Sequence, residues 1–271
     1  MQTIFIQPIF APDKMRFERN KNSIESLLKY INNYNYTDLK VAFGGWAKEE
    51  YWPQFKELIG QFGINKICLS KFEKNYGKAI VVNNIYEKVK SLNVNFKYFL
   101  TADSDIVFPL ETYNMIERLE EIADKSIVYT NKPFGMIGLM QLQNNCHFKS
   151  VFENKYIIKG KFNKKELVVY PNQPSGIAGG CIFTSKEVWD KVGGYRVMGT
   201  YAGDDAYYLL DTARAGYSFQ VTADLGIIHP PENDEEYAKW KVNVCTRDTN
   251  GLNQSNIDSK IQEAEEFWKK R

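Results

Sequence analysis

Lys97–Pro109, KYFLTADSDIVFP, carries an apolar β-type run straight into two aspartates one residue apart, Asp103-Ser104-Asp105. An aromatic and aliphatic run that stops at a polar turn reads as an inner strand of a buried sheet. In an open parallel sheet, ligands sit in the crevice beyond the carboxyl ends of the strands, so the residues after Thr101 mark where chemistry is expected. Two carboxylates this close repel each other where water is scarce, and a divalent cation is the usual way to offset that repulsion. Hard oxygen ligands of this kind suit Mg²⁺ or Mn²⁺. The competing reading is a solvated turn, since Asp and Ser are common turn formers.

Upstream of this stretch, short apolar runs alternate with amphipathic ones, the order of βαβ units feeding a parallel sheet. Strands are expected at Thr3–Ile9, at Leu39–Phe43, where Gly44-Gly45 would break the run, at Lys66–Ser70 and at Phe96–Thr101. Between them, Ser23–Ile31 places Ile24, Leu27, Leu28 and Ile31 on one helical face, and further helices are expected near Glu49–Gln61 and Ala79–Ser91. Downstream, a helix near Leu110–Ala123 and a strand near Ser126–Tyr129 precede a weakly periodic segment, residues 131–174, expected to form a flexible flap over the site. Helices follow near Lys186–Val192 and Asp204–Ala215. Ser255–Lys270 forms an amphipathic tail helix that sets Ile257, Ile261, Ala264 and Trp268 on one side.

With 271 residues and 44% apolar composition, the chain can bury a full core, and no linker or repeat divides it, so one α/β domain is expected. A net charge of +2 supplies no global field toward nucleic acid or an anionic membrane. The opening MQTIFIQPIFAPDK lacks the basic flank and cleavage site of a secretory signal, and no window of about 18 apolar residues could span a bilayer. Cys68, Cys146, Cys181 and Cys245 show no metal or redox spacing and read as free thiols, which points to a cytoplasmic location, free or peripheral to a membrane.

Two further constellations carry chemistry. In Gly203-Asp204-Asp205, adjacent acids open a helix; capping accounts for one of them and less well for both. An aspartate held in a pocket is also the usual base for taking a proton from an acceptor hydroxyl. In Ile227-Ile228-His229-Pro230 a lone His ends an apolar strand, as a satisfied structural residue or as a neutral imidazole completing a carboxylate metal site.

Taken in order, these segments resemble the family 2 glycosyltransferases and related GT-A enzymes of the nucleotide-diphospho-sugar transferase superfamily. KYFLTADSDIVFP is similar to their strand and D-x-D segment; Gly176–Tyr195, GIAGGCIFTSKEVWDKVGGY, resembles their acceptor-side signature, and Gly203–Tyr217, GDDAYYLLDTARAGY, their G-E-D…G-Y block. Gly77–Asn83, GKAIVVN, looks like their G-x-x-x-A-R-N element. The resemblance covers roughly residues 3–230. It implies a Rossmann-like GT-A fold, with a mixed, mostly parallel sheet flanked by helices in one domain. Residues 1–105 would be the nucleotide-sugar half, 106–230 the acceptor and catalytic half, and 231–271 a helical tail.

The resemblance further implies transfer of a sugar from a nucleoside-diphosphate sugar, UDP-linked by analogy, to a hydroxyl on a glycan, a lipid-linked sugar or a modified nucleic acid, with inversion. Asp103 would contact the donor ribose or the metal, and Asp105 and His229 would bind Mn²⁺ or Mg²⁺. Asp205 would be the general base, with Asp204 touching the acceptor. Gly179 and Gly180 would let backbone approach the donor sugar, Lys78, Asn83 and Ser104 would lie near the donor, and Pro8 and Phe10 would border the base. Departures are visible as well. Phe43-Gly44-Gly45-Trp46 stands where the family has an acidic pair, and Val82 and Asp211 stand where arginines are frequent, so a phosphate contact would fall to Arg16, Arg19 or Arg214.

Four other readings compete. They are a retaining GT-A transferase, a nucleotidyltransferase, a non-catalytic nucleotide- or carbohydrate-binding protein, and an enzyme that modifies nucleic acid. The second normally needs a basic Gly-rich loop after the first strand, which Gln7-Pro8-Ile9-Phe10 is not. The last would use Lys149, Lys155, Lys159, Lys161, Lys164 and Lys165 interleaved with Phe148, Phe152, Tyr156 and Phe162.

Overall fold

Along the first strand, Ile4 and Ile6 point to one side and Phe5 and Ile9 to the other, and all four are at most 2% exposed. A strand apolar on both faces belongs inside a sheet covered on both sides, and the computed structural model has that architecture. It describes residues 2–110, 114–141, 156–159, 166–171, 180–198, 204–244 and 254–270. The strands are β1 (Thr3–Ala11), β2 (Lys40–Ala47), β3 (Lys66–Lys71), β4 (Tyr98–Ala102), β5 (Phe134–Gln141), β6 (Tyr156–Lys159), β7 (Glu166–Pro171), β8 (Cys181–Ser185) and β9 (Ser218–Ile227). The helices are α1 (Lys14–Asn33), α2 (Trp52–Gly60), α3 (Lys78–Ser91), α4 (Met115–Thr130), α5 (Lys186–Val192), α6 (Asp204–Arg214), α7 (Glu235–Val244) and α8 (Gln254–Lys269).

The described strands form one sheet in the order β3-β2-β1-β4-β8-β5-β9-β7-β6. Only β7 and β8 run against the rest of them, so the sheet is mixed and mostly parallel, as expected. Apolar residues of α1, α2 and α4, such as Leu27, Phe55 and Ile122, cover one face. Those of α3, α5 and α6, such as Ile85, Trp189 and Tyr208, cover the other.

Several boundaries differ from the sequence reading. β1 runs to Ala11, paired with Ala47, rather than to Ile9, so Phe10 as well as Pro8 lies within the strand. β2 does not break at Gly44-Gly45 but continues to Ala47. The two glycines are there for closeness: a Cβ on Gly44 would stand 2.9 Å from the Ser70 carbonyl oxygen, and one on Gly45 (φ +149°) 2.0 Å from that of Ile9. α1 begins nine residues before Ser23, capped by the Asp13 carboxylate, which accepts from the Arg16 N–H at 2.8 Å.

Ser126–Tyr129 is the last stretch of α4 and not a strand. Its apolar side chains face outward, Ile127 52% and Val128 70% exposed, while the buried Ser126 continues the core face of Leu119 and Ile122. The segment 131–174, expected as a flap, contributes β5, β6 and β7 to the sheet. β5 lies between β8 and β9 with Met136, Ile137 and Leu139 fully buried; being apolar on both faces, it shows no strand alternation to detect. Of the lysine- and aromatic-rich stretch within it, Tyr156 and Lys159 lie in β6 and the other named residues lie outside the described residues. The tail helix α8 packs as its spacing predicts, Ile261, Ala264 and Trp268 being at most 5% exposed.

Candidate active site

The turn after β4 is held from beneath by polar groups on the buried side of α1 and β1. Gln7 Nε2 donates to Ser23 Oγ at 2.6 Å and to the Asp103 carbonyl at 3.3 Å. Ser23 Oγ donates in turn to the Ile106 carbonyl at 2.5 Å, and Ser26 Oγ accepts from the Phe108 N–H at 3.0 Å. These hydrogen bonds among buried groups tie down the backbone at Asp103, Ile106 and Phe108, on either side of the acidic turn.

Three tethers then bring distant segments to that turn. The Asp103 N–H donates to the Gly180 carbonyl at 2.7 Å, continuing the β4–β8 pairing by one residue. Val107 and Ile228 exchange backbone hydrogen bonds at 2.9 and 3.0 Å, which delivers His229 to the aspartates. Its Nε2 stands 3.6 Å from Asp105 Oδ1 and 4.0 Å from Asp103 Oδ2. The third tether is Lys78, in the first turn of α3, whose Nζ lies 2.7 Å from Asp103 Oδ1 and 3.7 Å from Asp204 Oδ2. One ammonium thus joins the two acidic motifs.

Arg19 of α1 adds a second cation, with Nη1 3.9 Å from Asp105 Oδ2 and Nη2 donating to the Pro231 carbonyl at 2.8 Å. The electrostatics follow from this arrangement. Burial raises the Asp105 carboxyl above its ordinary value although His229 and Arg19 pull it down, and the Asp103 charge raises it further. Burial likewise raises Asp204 against the pull of Lys78. For Lys78, burial works toward the neutral amine, but Asp103 and Asp204 outweigh it and hold the ammonium well above its ordinary range.

The sequence-predicted acids, His229, Lys78 and Gly180 therefore meet at the carboxyl end of β4, with Ser104 inside the turn. Gly179 lies outside the described residues. No protein-family model and no characterised protein sequence matches the chain. Its structure is similar to the crystal structure of S. aureus TarS 1–349, with a TM-score of 0.58 at 13% identity over 97% of this chain and 70% of that one.

The fold is GT-A.

Fainter likenesses reach a nucleoside-diphosphate-sugar pyrophosphorylase from Vibrio cholerae RC9 and the inositol-1-phosphate CTP transferase from T. maritima. The first has a TM-score of 0.47 at 10% identity over 88% of this chain and 99% of that one. The second has 0.43 at 12% identity over 97% of each.

Within the GT-A fold the other predicted residues take the following places. Asn83 spends its side-chain amide on the Tyr195 backbone, Nδ2 donating to the carbonyl at 2.9 Å and Oδ1 accepting from the N–H at 3.0 Å. Pro8 is buried opposite Gly44, and Phe10 packs its ring on Trp46 (6.2 Å) and Trp268 (5.4 Å) at the end of β1. Asp205 opens α6 beside Asp204, its Oδ1 accepting from the Ala206 N–H at 2.9 Å. Of the three arginines considered for phosphate, Arg19 reaches the site. Arg16 is buried under Tyr237 and Trp268, and Arg214 ends α6. Asp211, standing where the family often has Arg, instead takes a two-pronged ion pair from Arg196 at 2.5 and 2.6 Å.

Gln7, Ser23 and Ser26 were not singled out in the sequence. Their signal was faint but present: a Gln inside an otherwise apolar strand, and two serines on the apolar side of a helix. Among the described residues, no group of three or more His, Cys, Asp and Glu side chains stands ready to hold a metal ion, and no helix is long and apolar enough to cross a membrane. Of the four cysteines, Cys68 and Cys181 are buried free thiols; Cys146 and Cys245 lie outside the described residues.

Proposed function

We propose that this chain is a glycosyltransferase that moves a sugar from a nucleoside-diphosphate sugar, UDP-linked in the first instance, to an acceptor hydroxyl with inversion at the anomeric carbon. The observation that carries this reading is the convergence of Asp103, Asp105, Lys78, Asp204 and His229 at the carboxyl end of β4 in a GT-A fold. A crevice at that end of a parallel sheet is where a nucleotide docks. Lys78 and Arg19 supply fixed positive charge for the diphosphate, whose negative charge grows as the sugar departs.

The donor set also suits a divalent cation. His229 Nδ1 lies 3.1 Å from the Pro230 carbonyl, which can only accept, so Nδ1 carries a proton and Nε2 is the nitrogen that faces Asp105 and Asp103. Asp103, Asp105 and His229 are the residues that would hold Mn²⁺ or Mg²⁺, which when bound neutralises charge on the leaving diphosphate.

Asp205 is the residue for the base. It stands at the start of α6, next to the acid that faces Lys78, and takes the acceptor proton as the hydroxyl oxygen attacks the anomeric carbon. The resemblance gives Asp204 to the acceptor; its ion pair with Lys78, which also grips Asp103, favours the donor side instead. Asp205→Asn keeps shape and helix start but removes the base, so transfer should fall by about a hundredfold or more with an unchanged melting temperature. Full transfer by a folded Asp205→Asn protein would sink the assignment, and the anomeric configuration of the product by NMR reads inversion directly.

A further inference from the structure

Two polar atoms beside Lys78 have no hydrogen-bond partner within the protein although both are shut away from solvent: Tyr195 Oη and Asp204 Oδ2. Tyr195 is 2% exposed, and Lys78 Nζ stands 5.6 Å from its ring centre and 3.7 Å from Asp204 Oδ2. Leaving a buried phenol unsatisfied is costly, and such groups in a folded protein call for an explanation.

The phenol is also held with unusual firmness. Both backbone hydrogen-bonding groups of Tyr195 are taken by Asn83, and its ring packs edge-on against Trp189 at 4.8 Å and Tyr208 at 5.5 Å. The preceding Gly194 has φ +77°, and a Cβ there would come within 2.7 Å of Asn83 Oδ1 and 3.0 Å of the Trp189 ring, so this clasp requires glycine. Burial, strengthened by Asp204, Asp205 and Asp103 and opposed by Lys78, keeps the phenol protonated well above its ordinary range, so it is a donor at neutral pH. A rigid donor and, beside the same ammonium, a carboxylate oxygen that is ion-paired but accepts no hydrogen bond match the hydroxyl groups of a sugar, each of which both gives and takes a hydrogen bond.

We propose that Tyr195 Oη and Asp204 Oδ2 are the contacts that receive hydroxyl groups of the transferred sugar, which makes Tyr195 a specificity-determining residue for the donor. This rests on the glycosyl-donor reading above. A site built to hydrogen-bond a substrate hydroxyl discriminates by leaving its own polar groups unpaired when the wrong sugar enters. The nucleotide itself would not touch Tyr195.

The test is Tyr195→Phe, read by calorimetric titration with UDP, UDP-glucose, UDP-galactose, UDP-N-acetylglucosamine, GDP and GDP-mannose in Mn²⁺ buffer. The ring packing stays and an unpartnered hydroxyl goes, so the ligand-free variant should melt at the wild-type temperature or above it. Its affinity for the free nucleoside diphosphate should stay within twofold, while the extra affinity that wild type shows for one of the nucleotide sugars falls about tenfold. A lower ligand-free melting temperature would show that the hydroxyl has a partner already and overturn the proposal. So would nucleotide and nucleotide-sugar affinities that fall together or do not change, or a wild type that binds the free nucleotide as tightly as every sugar form. A wild type that binds neither UDP nor GDP removes the donor reading first, and the proposal with it.

Discussion

Lys78 is the residue on which the two acidic motifs depend. Its ammonium sits between Asp103 and Asp204 with 18% of the side chain exposed, and burial lifts the Asp204 carboxyl toward the neutral form against that pull. Lys78→Met keeps most of the volume and leaves two crowded carboxylates without their cation. Breaking a fully buried pair costs about 3–5 kcal/mol, and the partial exposure here reduces that to about 2 kcal/mol, readable as a lower midpoint in urea. A midpoint equal to wild type would mean that the ion pair contributes nothing. The resemblance of GKAIVVN to a donor-side element placed Lys78 near the nucleotide. That it also grips Asp204, far along the chain, is set by packing and by no local pattern.

Elements carry the next set of consequences. β1, β2 and β3 approach so closely at Gly44 and Gly45 that no side chain fits, and read in sequence the same pair looked like a strand break. Gly45→Ala would drive a Cβ to 2.0 Å from the Ile9 carbonyl oxygen at φ +149°, so a loss of roughly 3 kcal/mol or more is expected by denaturant titration. Between α3 and α5, Asp190 accepts from Tyr86 Oη at 2.9 Å and pairs with Lys90 at 2.9 Å and Lys186 at 2.8 Å. Burial pushes this carboxyl up, but its bonds from Lys186, Lys90 and Tyr86 together hold it below the ordinary value.

A carboxyl depressed in the folded state stabilises above its unfolded pKa of about 4 and loses that contribution as pH falls through the folded value. Asp190→Asn should therefore be less stable than wild type at pH 7, by about 1 kcal/mol or less for so accessible a pair, and the two curves should converge as pH falls through the depressed value of the folded carboxyl. A difference that persists unchanged in acid would show that the effect is packing and not charge. The helices that flank this contact were legible from their apolar spacing. The contact itself was not, because charged residues on a helix surface look alike until a neighbouring helix selects among them.

For the whole molecule, the C-terminal helices close over the carboxyl ends of the first strands. Trp268 of α8 packs on Phe10 of β1 and on Arg16 of α1, and Tyr237 of α7, next to Trp268, covers Arg16 as well, 4.0 Å from ring centre to guanidinium carbon. Glu265 reaches Lys74 ahead of α3 at 3.7 Å. This end of the chain is therefore part of the wall beside Phe10, where the nucleobase of the proposed donor would lie. Trp268→Ala should cost about 3–4 kcal/mol and weaken UDP binding, since Phe10 loses its backing. Weakened stability with unaltered nucleotide affinity would detach the tail from the site.

The chain's own order of residues was enough to establish an α/β domain with an acidic turn after its fourth strand, because apolar periodicity and the D-S-D, G-D-D and His-Pro segments are local and survive without knowledge of neighbours. It was also enough to say that α8 packs by its Ile261, Ala264 and Trp268 face. Three things came from the folded arrangement instead: the inner position of β5, the bridge from Val107 to Ile228 that brings His229 to Asp105, and the placement of Lys78 between two acid pairs with Tyr195 above it. Each is a contact between residues distant in sequence, and which of many chemically equivalent side chains meet is decided by how the sheet orders its strands and how closely the helices pack against it.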